Sequence, residues 1–213
     1  MEKHFSFYTL LPKLFSMNKE HPRLLVCCEF SQRVTAAFLE KGFDAYSNDI
    51  IDCEGPFPER HLKMDARKAY YYKSWDIVIA HPPCTYLTAA SAVYMHRDGQ
   101  INPERYEKML EARDLFMFFW NFVKEPLCIE NPRPLHLAAL PRETQVVDPT
   151  FFGDQKTKRT CLWLKNLPPL LPIVAPPANP KSYIYGTRGG HKRSLISPFL
   201  AQAMADQWAP LFL

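Results

Sequence analysis

The stretch WDIVIAHPPCTYLT, Trp75 to Thr88, decides the fold class of this chain. It opens with an apolar run that has an acidic residue near its start and two prolines, Pro82 and Pro83, after its end. Such a run predicts a strand that is buried on both faces, as in a parallel sheet. The strand would carry Cys84 to its carboxyl end, beyond a turn that the proline rings stiffen. Two interpretations of Cys84 stay open, a buried structural cysteine and a reactive thiolate.

Strand and helix patterns alternate along the rest of the chain. Short apolar runs predict strands, and apolar residues at helical spacing between them predict helices. In chain order the segments are strand RLLVCCEF, helix SQRVTAAFLEKG, strand FDAYSNDI, short strand HLKMDA, strand WDIVIA, long helix NPERYEKMLEARDLFMFFWNFVKE, strand PLCIEN, strand RTCLWLKNL and final helix SPFLAQAMADQWAPLF. This alternation predicts an α/β fold with a doubly wound, mostly parallel, Rossmann-like sheet.

Length and composition favour one soluble globular domain. The chain has 213 residues, of which 47% are hydrophobic and 23% charged, and it contains no apolar run long enough to cross a membrane. We expect an N-terminal extension over residues 1–22 and a single catalytic domain over residues 23–213. The six cysteines include no C-x-x-C pair, which favours reduced thiols in a cytoplasm. A net charge of +4 permits an anionic partner such as DNA without requiring one.

Polar residues follow several of the predicted strands at the point where each strand ends. Glu29, the segment from His81 to Cys84, and the pair Glu130-Asn131 would all face one crevice, because ligands gather beyond the carboxyl ends of parallel strands. Glu130 is either a solvated loop charge or an acid in the crevice whose pKa burial would raise. Asp49, at the end of the second strand, is either solvated or able to accept a hydrogen bond from a ribose hydroxyl.

In this order the motifs resemble those of the DNA cytosine-5 methyltransferase family. Pro83-Cys84 in DIVIAHPPCTYLT is similar to the family's proline-cysteine motif, and Glu130-Asn131 in IENP to its glutamate-asparagine motif. The family's Q-x-R-x-R motif has a partial counterpart in QKTKR, with Gln155 and Arg159 matched and Thr157 in place of the first arginine. The resemblance covers roughly Arg23 to Arg159 and implies a Rossmann-like fold that uses S-adenosylmethionine as cofactor.

The resemblance also implies roles for individual residues. Cys84 would add to carbon 6 of cytosine, Glu130 would bond ring N3, and Arg159 would hold the exocyclic oxygen. The residues expected at the cofactor are Glu29, Phe30, Ser31, Asp49, Ile50, Asp65 and Pro82. The residues expected at the substrate are Pro83, Tyr86, Asn131, Gln155, Lys158, Arg188, Lys192 and Arg193. No metal is expected.

Two features differ from the family pattern. The first motif of the family is glycine-rich, whereas this chain reads CCEFSQR after its first strand. The segment between Arg159 and Ser197 is also too short for a separate target-recognition domain. The basic segment GTRGGHKRS, residues 186–194, is either a minimal phosphate-binding substitute or a surface loop. We therefore expect a short or relaxed target sequence, as in small methyltransferases carried by bacteriophages, with a separate specificity partner as an alternative.

Other functions compatible with the sequence remain open. The substrate could be RNA or a cytosine nucleotide instead of DNA. An amino-group methyltransferase would use two prolines at the same strand end, but between an acidic or amide residue and an aromatic, and HPPC supplies neither. The chain could also be a non-catalytic nucleic-acid-binding or anti-restriction module that keeps the fold. The sequence does not determine the oligomeric state.

Overall fold

The computed structural model describes residues 21–183 and 190–213, and these residues build a seven-stranded mixed sheet. The predicted extension over residues 1–22 therefore lies outside the described residues, except for His21 and Pro22. The strands of the sheet in chain order are β1 Arg23–Cys27, β2 Asp44–Asp49, β3 His61–Lys63, β4 Ile77–Ala80, β5 Leu127–Asn131, β6 Gln145–Val147 and β7 Thr160–Lys165.

The strand order across the sheet is β3-β2-β1-β4-β5-β7-β6. Strand β7 runs antiparallel to both of its neighbours, whereas the pairings among β1 to β5 are all parallel. The prediction of an α/β fold with a mostly parallel sheet is confirmed. The predicted sixth strand proves to be the seventh, because the short strand β6 was not anticipated.

Helices cover both faces of this sheet. The covering helices are α1 Arg33–Leu39, α2 Ala66–Tyr72, α3 Pro103–Phe122 and α5 Pro198–Trp208, and a short helix, α4 Gly190–Ser194, precedes α5. Short 3-10 helices lie at Pro58–Arg60, Ala89–Tyr94, His136–Ala138, Pro149–Phe152 and Ala209–Leu211. A small hairpin pairs His96–Arg97 with Gln100–Ile101, and Lys156–Thr157 pairs with Lys181–Ser182. None of the helices in the described ranges is long and apolar enough to cross a membrane.

Side chains of the central strands divide the interior into two hydrophobic layers. Leu24 and Val26 pack with α1 and α5 on one face, while Leu25 and Cys27 pack with α2 and α3 on the other. This alternation follows from the two-residue period of a strand. All four residues of β4 are completely buried. Each large apolar side chain buried in this way contributes roughly 1.5–3 kcal/mol, so the strand that WDIVIA predicts is a main source of stability.

The strand order places a crevice beside Cys84. The chain leaves β1 through α1 on one face and leaves β4 toward α3 on the other, so β1 and β4 are neighbours whose connections diverge. In open α/β sheets, ligands bind outside the carboxyl ends of the strands at such a switch point.

Candidate active site

A cavity of about 440 Å³ opens at the carboxyl ends of β1, β2, β4 and β5. Its wall contains the polar residues that follow these strands, which the sequence predicted to face one crevice. Thirteen of the eighteen predicted site residues line it, namely Cys84, Glu130, Glu29, Phe30, Ser31, Asp49, Ile50, Asp65, Pro82, Pro83, Asn131, Lys158 and Arg193. Arg159, Tyr86, Gln155 and Lys192 are not among the lining residues, and Arg188 lies outside the described residues.

Cys84 lies in the wall of this cavity, partly buried, after the turn formed by Pro82 and Pro83. Burial raises the pKa of the Cys84 thiol, the negative charge of Glu130 raises it further, and the Lys158 ammonium partly offsets both effects. The thiol is therefore mostly protonated in the free protein at neutral pH. To act as a nucleophile, Cys84 must lose its proton when a ligand changes these surroundings.

Glu130 is held by groups from two neighbouring strands. Thr160 donates its hydroxyl to Oε1, and Nδ1 of His81 lies 3.1 Å from Oε2. Burial raises the pKa of Glu130, but the hydrogen bond and charge of His81, the charge of Lys158 and the Thr160 hydroxyl outweigh it and leave the pKa below its usual value. The expectation that burial keeps a proton on Glu130 is therefore wrong for the free protein.

Lys158 is the cation that faces Glu130 and Cys84. Its ammonium donates to the carbonyl oxygen of Leu195 at 2.6 Å, and its charge acts on both Glu130 and Cys84. Burial lowers the pKa of Lys158, while the two acidic neighbours raise it in part. A cation thus stands beside the thiol and the carboxylate, as an anionic intermediate would require.

Arg159, the predicted oxygen-binding cation, points elsewhere. Its side chain is 81% exposed, and its Nε lies 3.9 Å from Asp148 Oδ2. The difference from Lys158 follows from the alternation of extended backbone, since Lys158 and Thr160 are two residues apart and both act on Glu130. The residue between them therefore faces away.

The start of α1 is occupied by a carboxylate of the protein itself. Glu29 is 4% exposed and accepts hydrogen bonds from the backbone N–H groups of Val34 and Thr35, at 2.6 and 3.2 Å, and from the Thr35 hydroxyl at 2.7 Å. Burial raises the pKa of Glu29, while the charge of His81 and these hydrogen bonds lower it in part. A helix start that binds a phosphate in dinucleotide-binding folds is thus filled from within.

The loop after β1 turns as a glycine-rich loop would, although it contains no glycine. Cys28 has φ of 59° and Gln32 has φ of 55°, both in the left-handed region that favours glycine. The Gln32 amide accepts from the Phe57 N–H at 2.7 Å and donates to the Phe57 carbonyl at 2.7 Å and to Ser47 at 2.9 Å. These three bonds hold the strained backbone in place.

The carboxyl end of β2 offers an acidic and apolar surface. Oδ1 of Asp49 accepts from the N–H groups of Ile50 and Ile51 at 2.7 and 3.4 Å, and Oδ2 makes no hydrogen bond within the described part of the chain. Asp65 caps α2 by accepting from the Arg67 N–H at 2.9 Å. The side chain of Ile50 is 72% exposed. An adenosine group fits this set, with an apolar face for the base and a carboxylate for the ribose hydroxyls.

Two buried asparagines in the cavity wall have amide groups with fixed orientation. Nδ2 of Asn48 donates to the carbonyls of Leu62 and Met64, at 2.7 and 2.8 Å, and Nδ2 of Asn131 donates to the Pro82 carbonyl at 2.7 Å. Within the described ranges, Oδ1 of each has no hydrogen-bond partner. Asn131, predicted to bind substrate, thus fixes the turn that precedes Cys84.

The remaining predicted substrate residues in the described ranges do not line the cavity. The Tyr86 ring lies 5.0 Å from the Arg105 guanidinium and 5.9 Å from the Lys108 ammonium. Gln155 is exposed and donates to the Gly153 carbonyl at 3.4 Å, and Lys192 is exposed on α4. These positions leave their predicted contacts with a nucleic acid untested.

The sequence predicted that His81 would face the crevice but gave it no role, and Thr160 was not predicted at all. His81 directly follows Ala80, and Glu130 directly follows Ile129, the residue that pairs with Ala80. A polar residue after the apolar run of each strand is a signal in the sequence for this pairing. Thr160 carries no comparable signal, because a threonine at the start of an apolar strand is common.

No protein-family model matches this chain, and no curated protein matches it either. The fold and the geometry of the cavity therefore carry the functional interpretation.

Proposed function

We propose that this protein transfers the methyl group of S-adenosylmethionine to carbon 5 of cytosine in DNA, through Cys84. One observation carries the proposal: a cysteine, a glutamate and a lysine meet in one cavity, at the switch point of a mostly parallel sheet. Cys84 and Glu130 come from the two motifs that resemble those of the cytosine-5 methyltransferases. The cation beside them is Lys158.

The reaction needs these three groups together. Carbon 5 of cytosine is a poor nucleophile until a thiolate adds to carbon 6. In the proposal Cys84 forms that bond, Glu130 bonds ring N3, and Lys158 holds the exocyclic oxygen in place of the predicted Arg159. Lys158 would also stabilise the thiolate, since its charge already lowers the pKa of Cys84.

The surface at β1 and β2 supports a nucleoside cofactor without a phosphate. Asp49 would accept from the ribose hydroxyls, and Phe30 and Ile50 would contact the adenine. Because Glu29 fills the start of α1, a dinucleotide pyrophosphate has no place there. When bound, S-adenosylmethionine would supply an electrophilic methyl group.

The sheet also favours a methyltransferase over a dinucleotide-dependent enzyme. In the dinucleotide-binding order the sixth strand follows the fifth directly across the sheet. Here the antiparallel strand β7 stands between β5 and β6. We interpret this insertion as support for a Rossmann-like methyltransferase fold.

DNA is the substrate we favour, with little sequence selectivity. Arg193 lines the cavity and Lys192 is exposed beside it, so a backbone phosphate could bind at this edge. The target base would have to leave the helical stack to reach Cys84. Because the segment between Arg159 and Ser197 is too short for a separate target-recognition domain, we expect a short or relaxed target.

The test is methyl transfer from labelled S-adenosylmethionine to duplex DNA, single-stranded DNA, RNA and free nucleotides, followed by base-resolved detection of 5-methylcytosine. We expect label on carbon 5 of cytosine in DNA and none with Cys84→Ser. Cys53→Ser is the matched control, because Cys53 is partly buried as Cys84 is but lies outside the cavity lining, and it should methylate as the wild type does.

Other outcomes would point to the alternatives. Label on the amino group of cytosine or adenine would identify an amino-group methyltransferase. Label on RNA or nucleotides alone would move the substrate away from DNA. DNA binding without affinity for S-adenosylmethionine in calorimetry would identify a non-catalytic binding module.

A further inference from the structure

His81 and Glu130 stand side by side because the strands that carry them are in register. Ala80 pairs with Ile129 across the parallel strands β4 and β5, so the next residue of each strand, His81 and Glu130, extends the same row. Nδ1 of His81 lies 3.1 Å from Oε2 of Glu130, and the side chains are only 11% and 12% exposed. The register of two strands fixes this pair before any ligand arrives.

We propose that His81 is a positioning residue that shares one proton with Glu130, and that this proton is the one cytosine N3 takes up. The inference rests on the proposed function and deepens it. Neither the cysteine motif nor the glutamate motif called for a histidine here. The pair explains how Glu130 can serve as a proton source although it is ionised in the free protein.

The free nitrogen of the imidazole supports a mobile proton. Nε2 of His81 is buried and has no hydrogen-bond partner within the described residues. A buried polar atom without a partner destabilises the folded protein, and such atoms call for a functional explanation. Because Nε2 is unbonded, the ring can gain or lose its second proton without breaking an existing hydrogen bond.

The charged groups around the pair come from each strand beside it. Glu29 beyond β1 acts on His81, and Lys158 before β7 and Cys84 beyond β4 interact with Glu130. Glu29 is occupied by the α1 backbone, and Lys158 donates to the Leu195 carbonyl. Thr160 occupies Oε1 of Glu130, which leaves Oε2 for His81.

The proton and electron balance of the addition step closes within the site. The Cys84 thiol first loses its proton to solvent. The Glu130 carboxylate and the neutral His81 imidazole together hold one further proton, which they share. The thiolate lone pair forms the S–C6 bond, and the C5–C6 π electrons form a C4–C5 double bond. The C4–N3 π electrons bind the proton that His81 and Glu130 give up. Once carbon 5 carries the methyl group, its proton leaves to solvent and the C5–H electrons re-form the C5–C6 double bond. The S–C6 electrons return to the Cys84 sulfur, and the N3 proton returns to the His81–Glu130 pair.

One test measures proton sharing in the free protein and needs no activity. In ¹³C-carboxyl NMR, with the Glu130 signal assigned through Glu130→Gln, the wild type should show two titration steps, because an interacting pair titrates as a unit. His81→Asn keeps an N–H donor near the position of Nδ1 but has no titrating ring, so one of the two steps should disappear. An unchanged Glu130 titration in His81→Asn would overturn the shared proton.

A second test connects the pair to the reaction through the pH profile of kcat. In His81→Asn only Glu130 can hold the proton, so kcat at neutral pH should fall about 10- to 100-fold. The alkaline limb of the kcat–pH profile should move to lower pH. Thr160→Val is a matched variant that should shift the alkaline limb in the opposite direction. The Thr160 hydroxyl lowers the pKa of Glu130, so its loss should move the limb to higher pH. A purely structural His81 would change thermal stability or KM and leave the limb in place, and that result would overturn the inference.

The two tests separate this inference from the proposed function. If the titration step that depends on His81 is present but the wild type methylates no cytosine, the proposed function is wrong and the shared proton stands. If the wild type methylates cytosine and the His81→Asn limb coincides with that of the wild type, the proposed function stands and the role of His81 is wrong.

Discussion

The two ends of the cavity are built in different ways. The thiol end is formed by His81, Cys84, Glu130 and Lys158. There the hydrogen bonds to Glu130 come from His81 and Thr160, which are 49 and 30 positions away in the chain. At the β2 end, formed by Phe30, Asn48, Asp49, Ile50 and Asp65, the two carboxylates accept from N–H groups one or two positions away.

This difference implies a division of work. The thiol end is fixed by the register of neighbouring strands, so its geometry is formed before any ligand binds. The β2 end is shallower, with Ile50 at 72% exposure and the Asp65 side chain at 48%. We expect substitutions at the thiol end to lower kcat and substitutions at the β2 end to weaken binding of S-adenosylmethionine.

The largest expected effect in this comparison is that of Glu130→Gln. Gln keeps the shape of the side chain but carries no acidic proton, so methyl transfer should fall about 100- to 10,000-fold, as for a lost general acid. Binding of S-adenosylmethionine, measured by calorimetry, should stay within about twofold because Glu130 belongs to the other end. Glu111→Gln on the exposed face of α3 is the control and should behave as wild type. A large loss of cofactor affinity in Glu130→Gln would show that the two ends are not independent.

Lys158→Met and Arg159→Met form the second test. Removal of Lys158 deletes a charge beside the reacting groups, which should cost kcat about 10- to 100-fold. Removal of Arg159 should change kcat less than about threefold, because its side chain is 81% exposed and does not line the cavity. The kinetics are compared with thermal melting, since Lys158 also bonds the Leu195 carbonyl. The reverse order of effects would restore Arg159 as the oxygen-binding cation.

Asp49→Asn should give the smallest of the three effects. The partly buried carboxylate would lose one charged hydrogen bond to a ribose hydroxyl, so the Kd for S-adenosylmethionine should rise about 5- to 20-fold with kcat nearly unchanged. Asp52→Asn is a matched control, because Asp52 is exposed and pairs with Lys63. An unchanged Kd in Asp49→Asn would place the cofactor elsewhere in the cavity.

The part of the thiol end that follows predicted strands could be predicted from the sequence. Cys84 and Glu130 follow buried apolar runs, and strands of a parallel sheet bring such ends to one edge, so their meeting could be anticipated. The choice between Lys158 and Arg159 could not be predicted. Neighbouring residues of an extended segment face opposite sides, and this segment has no apolar pattern that shows which side is buried.

The β2 end shows a second limit of sequence reading. The absence of glycine in CCEFSQR suggested a loop unlike that of the family, yet Cys28 and Gln32 take the left-handed conformation there. Glycine is favoured at such positions but not required when side-chain hydrogen bonds, here those of Gln32, hold the backbone. The antiparallel direction of β7 could not be predicted either, because an apolar run does not indicate strand direction.

The most direct test of the central claim is covalent trapping on DNA that contains 5-fluorocytosine. Fluorine at carbon 5 cannot leave as a proton does, so a thiol that adds to carbon 6 stays attached after methyl transfer. In the presence of S-adenosylmethionine we expect a protein–DNA adduct that survives denaturation, with the link mapped to Cys84 by peptide mass spectrometry and absent from Cys84→Ser. Methylation of cytosine without an adduct, or an adduct that persists in Cys84→Ser, would contradict the account.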